Sequence, residues 1–132
     1  AHIVPLSDEA LAVLAKADAL RMSESDVVFP GVAGKPMSDM TLLKVLRDMS
    51  EPYHVHGFRS AFTDWAANEG IPDAVVEAAL AHKTPDAVQA AYRRTTYLGT
   101  PDQPGARVKL MAAWGRYCLG VATGADKAAP PA

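Results

Sequence analysis

His56-Gly-Phe-Arg-Ser-Ala-Phe-Thr-Asp-Trp65, Glu77-Ala-Ala-Leu-Ala-His-Lys83 and Ala91-Tyr-Arg-Arg94 follow one another within residues 56–94, and the reading of these three blocks decides the fold. The second is rich in alanine, and the first two carry apolar residues at helical spacing. The polar members of all three are of a few kinds. Arginine is a planar, permanently charged fork suited to phosphate oxygens, histidine moves or donates protons near neutral pH, and a tyrosine hydroxyl is a possible nucleophile. The set therefore reads as phosphate chemistry. Each member alone has a plainer explanation: the helix dipole stabilises a histidine in a last turn, and a tyrosine on a helix is usually half-buried packing.

Working outward, the first block predicts a helix from about residue 56 to 68, with Phe58, Phe62 and Trp65, supported by Ala61 and Ala66, on its buried side. His56 and Arg59 stand three apart and so share its first turn, at a helix end that attracts anions. Gly70 is read as a left-handed C-cap, and Pro72 suits the start of the next helix, which runs through Val75, Val76, Ala79 and Leu80 to about His82. Thr84-Pro85-Asp86 opens the helix that carries Tyr92. Residues 96–105 read as a loop, and a final helix holds Val108, Leu110, Met111, Trp114 and Tyr117.

Upstream, residues 2–6 read as a short strand that Pro5 keeps from a central position, and Ser7 as an N-cap followed by Asp8 and Glu9. The helix so opened continues to about Met22. Val27-Val28-Phe29 is expected to be a short buried run, residues 31–36 a turn, and Ser38 the cap of a helix with Leu42, Leu43, Val45, Leu46 and Met49 on its core face. Residues 51–55 connect it to the first block. The expected fold is mainly α with a short N-terminal strand: one domain over residues 1–118 and a flexible tail over 119–132.

At 132 residues, 49% hydrophobic and 21% charged, the composition is that of an ordinary globular domain. The formal net charge of −2 argues against binding nucleic acid by bulk charge alone, although Arg59, Lys83, Arg93 and Arg94 make a local cationic cluster. No apolar run approaches the roughly 20 residues of a membrane span. The single cysteine, Cys118, has no internal partner for a disulfide, and a cytoplasmic location is expected. No internal repeat, zinc-type spacing or phosphate-binding glycine loop is present.

His56-x-x-Arg59, His82 and Tyr92 together resemble the second half of the catalytic signature of the tyrosine recombinases. The surrounding wording is similar to phage and genomic-island integrases, and so are Val4-Pro-Leu-Ser7, Val28-Phe-Pro-Gly31 and Met111-x-x-Trp114. The resemblance implies a helical catalytic-domain fragment of the DNA breaking-rejoining fold. It implies Tyr92 as nucleophile in site-specific recombination and integration, and Arg59 as one of two arginines on the scissile phosphate. It implies His56 as a proton acceptor or a hydrogen-bond donor to the phosphate, and His82 as a hydrogen-bond donor supporting the developing charge. Lys83, Arg93 and Arg94 are expected at the DNA backbone, and no metal or cofactor is expected.

The family's pattern begins with another arginine and a β-hairpin lysine, and neither can be placed here. The chain is therefore expected to be the C-terminal part of a catalytic domain, an excised portion or a truncated prophage remnant, with little activity alone. Its expected partners are duplex DNA at attachment sites and other integrase protomers; Val108, Met111 and Trp114 of the final helix either meet such a protomer or pack back on the chain's own core. Two other readings stand beside it: a non-catalytic DNA-binding remnant and a helical protein-interaction module.

Overall fold

A computed structural model of the protein describes residues 2–21, 26–82 and 96–120. Among them are five α-helices, here α1 (Asp8–Ala19), α2 (Thr41–Asp48), α3 (Gly57–Asn68), α4 (Asp73–Ala79) and α5 (Ala106–Cys118). The mainly helical expectation holds. The helix expected to carry Tyr92, and the tail beyond residue 120, lie outside the described residues. None of the described helices is long and apolar enough to cross a membrane.

The chain divides into two compact units, Leu11–Trp65 and a second made of Ala1–Ala10 with Ala66–Ala132. In the second, α4 packs against α5, and Val75, Val76 and Leu110 are among the buried side chains. Burying each contributes about 1.5–3 kcal/mol. The Ser7 hydroxyl accepts the Ala10 N–H at 3.2 Å, the N-cap bond expected at the start of α1. Ser7 also lies against α5 at Gly115, where a Cβ would collide with its Oγ and Cβ. Only glycine allows the incoming chain this close to that helix.

The strand expected over residues 2–6 does not form. The described residues contain no strand, only isolated bridges at Pro30–Pro36 and Gly99–Pro104. The Ile3 carbonyl is instead satisfied by a side chain: Arg107 Nη2 donates to it at 2.6 Å, and also contacts His2 Nε2 at 3.3 Å. Arg107 Nη1 donates to the Thr96 carbonyl at 3.2 Å. This arginine is only 4% exposed and ties the start of the chain to the loop before α5. The expected loop is real and tightly made. Thr100 and Gln103 exchange backbone hydrogen bonds, and Gly99 and Gly105 approach so closely that a Cβ on either would strike backbone of the other.

In Leu11–Trp65 the expected turn after Gly31 is present, a 3-10 turn over Val32–Gly34 closed by Gly31 N–H donating to the Lys35 carbonyl at 2.7 Å. Phe62 and Trp65 of α3 are buried with their ring centroids 6.2 Å apart. Other apolar expectations fail here. Val28 and Phe29 are about half exposed, as is Phe58, and no residue of α2 is buried. Ser38 does not occupy the N-cap of α2; Met40 does, and Ser38 shares a hydroxyl hydrogen bond of 3.2 Å with Thr41. Helical spacing correctly marks which side of α2 is apolar, but spacing cannot supply the element that would cover it.

Three helices end in one kind of reversal. After α3, Gly70 has φ 69° and Ile71 N–H returns to the Ala66 carbonyl at 2.9 Å, as its reading as a C-cap expects. After α2, Ser50 takes φ 60° and Glu51 N–H returns to Leu46; after α4, Ala81 takes φ 56° and His82 N–H returns to Glu77. In those two the left-handed position is not glycine, which is why the sequence reading did not find them.

Candidate functional site

The site residues fall in separate parts of the chain. His56 immediately precedes α3, whose opening is wound by Gly57 N–H donating to His54 and Arg59 N–H to the His56 carbonyl, at 2.9 and 3.0 Å. At about 100° of rotation per residue, residues three apart on a helix differ by about 60°. Both His56 and Arg59 are exposed. Thr63 Oγ1 donates to the Arg59 carbonyl at 3.1 Å on the next turn. An imidazole and a guanidinium at one helix start are groups suited to an oxyanion, at the end of the helix where the dipole favours negative charge.

An apolar hollow of about 340 Å³ also opens beside α3, lined by Pro52, Tyr53, His54, Gly57, Phe58 and Ala61. It lies on the other side of the helix, because residues 57, 58 and 61 cluster about 180° from the mean direction of 56 and 59. The hollow is therefore no part of the cationic face.

His82 belongs to the unit that contains α4 and α5. It sits just past the left-handed Ala81, with Nδ1 2.6 Å from Glu77 Oε2. Tyr92, Lys83, Arg93 and Arg94 lie outside the described residues. The structure thus brings His56 to Arg59 and His82 to Glu77, and describes neither the nucleophile candidate nor the basic cluster around it.

Two polar residues were missed by the sequence reading. Arg107 shares a stripe with Leu110 and Trp114, at spacings of three and seven, and a charged residue on an apolar stripe was the available signal. Glu77 gave none, because a spacing of five places residues on different faces of a continuous helix.

Residues 1–98 match the phage integrase family. The chain belongs to that family, the tyrosine recombinases its three blocks resemble. It is 37% identical over 101 residues to prophage integrase IntA of Escherichia coli (strain K12), a match that covers 74% of this chain and 24% of that protein. The chain thus spans about a quarter of the length of this curated relative. No solved structure matches it.

Proposed function

We propose that this chain carries the second phosphate-binding arginine, the two histidines and the nucleophile of a site-specific integrase acting on duplex DNA. The observation that carries the reading is the exposed His56–Arg59 pair on one helix start, within residues that match the family. In the reaction, the Tyr92 hydroxyl attacks the scissile phosphorus and its proton passes to a base, for which His56 is the candidate. The bond from phosphorus to the 5′ oxygen breaks, leaving a 3′-phosphotyrosyl link and a 5′-hydroxyl. A 5′-hydroxyl of another strand then attacks the link, restores the phosphodiester and returns the proton to Tyr92. Arg59 and His82 hold the non-bridging oxygens as negative charge develops, a task for a bidentate guanidinium and an imidazole N–H. Lys83, Arg93 and Arg94 contact the DNA backbone, and further integrase protomers complete the assembly.

In this reading the first arginine and the leaving-group lysine come from outside these residues, so the 132-residue chain alone gives only traces of product. A nicked suicide duplex tests it. Joined to an integrase segment bearing those two residues, the chain should trap DNA covalently, and Tyr92→Phe should abolish trapping. Arg59→Lys should reduce it by about 10²-fold or more, because an ammonium cannot reproduce the planar fork. Trapping that survives Tyr92→Phe sinks the proposal, and efficient trapping by the lone chain sinks the assignment of the missing groups.

A further inference from the structure

The contact between Glu77 and His82 exists only because α4 ends where it does. In a continuous helix, residues five apart point about 140° away from each other. Here α4 stops at Ala79, Leu80 is its C-cap, and Ala81 turns left-handed at φ 56°. His82 N–H then folds back onto the Glu77 carbonyl at 3.1 Å, and the same two residues meet a second time through the imidazole Nδ1 and the carboxylate Oε2, at 2.6 Å. In this kind of reversal the residue after the turn normally makes an apolar contact with the preceding helical turn. Ile71 occupies that place after α3, whereas after α4 it is an imidazole against a carboxylate. Holding an alanine left-handed costs about 1–2 kcal/mol, so the backbone keeps an unfavourable conformation at the residue just before His82.

We propose that Glu77 is a positioning residue for His82: its carboxylate accepts Nδ1–H, which fixes the orientation of the ring and favours the imidazolium, whose Nε2–H is then presented to the phosphate. The same arrangement, a carboxylate on one ring nitrogen while the other does the chemistry, recurs wherever a histidine must act through a defined atom. The pairing stands on the geometry of α4; only the identity of the partner at Nε2 rests on the integrase reading.

Long-range proton–nitrogen NMR correlations of the His82 ring in the whole chain, at a pH where the ring is neutral, test the pairing. Wild type and Glu77→Gln, whose amide oxygen accepts the same bond, should show the Nδ1–H tautomer. Glu77→Ala should shift His82 to Nε2–H, the form a free side chain favours. Identical tautomers in wild type and Glu77→Ala overturn the proposal. Titration with a short DNA duplex is the second arm. It should move the His82 Nε2 resonance, and Glu77→Ala should weaken binding about tenfold, the effect of replacing a charge-assisted hydrogen bond by a neutral one. If the tautomer follows Glu77 while the duplex leaves Nε2 unmoved, the phosphate reading of His82 falls and the pairing with Glu77 stands.

Discussion

Around α4 and α5, Val75, Val76 and Leu110 are at most 4% exposed, whereas in Leu11–Trp65 the side chains of Leu42 and Val45 on α2, and of Met49 at its C-cap, are about half exposed or more. Both regions are built from amphipathic helices. They differ in whether, among the described residues, a second element receives the apolar face, and α4 and α5 receive each other. The lesson is that a helix can be written clearly in a sequence while its packing is not.

The sharpest way to break this contrast is to truncate one side chain in each region. Leu110→Ala should cost about 2–5 kcal/mol, because the removed atoms leave a cavity. Leu42→Ala should cost less than about 0.5 kcal/mol, as surface changes usually do. Urea denaturation of the two variants measures both, and equal losses would show that α2 is covered after all. Gly115→Ala should follow, at about 1–3 kcal/mol, since its Cβ would drive Ser7 off α5. Thermal unfolding reads that loss, and a neutral variant would mean that residues 2–7 are not seated there.

The helix ends offer a smaller, opposed pair. Ala81→Gly should stabilise by about 1 kcal/mol and Gly70→Ala destabilise by a similar amount, each through the left-handed position alone. The same direction of change in both would contradict the reversals described for α3 and α4. The smallest effect concerns Cys118 on α5, where desolvation raises the thiol above its ordinary pKa. The folded chain therefore holds less thiolate at pH 8 than the unfolded chain, and alkylation should be slower in buffer than in urea. Because the folded-state value is the raised one, this group's contribution to stability is present at neutral pH and fades as the pH climbs through its titration.

Much of the site's neighbourhood was legible from residue order. The start of α3 at the His56–Arg59 turn, the Gly70 cap, the Ser7 cap and the loop before α5 all depend on residues within a few positions of one another. Local rules of spacing and capping reach that far. Phe58 shows the limit: it sits on the apolar side of α3 as expected and is still about half exposed. Arg107 shows the converse, a permanently charged side chain buried on an apolar stripe because two distant carbonyls receive it.

By itself, the order of residues determined that the chain is mainly helical and which stretches its helices occupy. Those properties follow from backbone preferences and short-range spacing. Only the tertiary structure decided that the first residues are clasped by a guanidinium rather than paired in a sheet, that α4 and α5 cover each other, and that Glu77 meets His82. Each of these needs groups brought together by a chain reversal or across many residues, and no local preference encodes such a meeting.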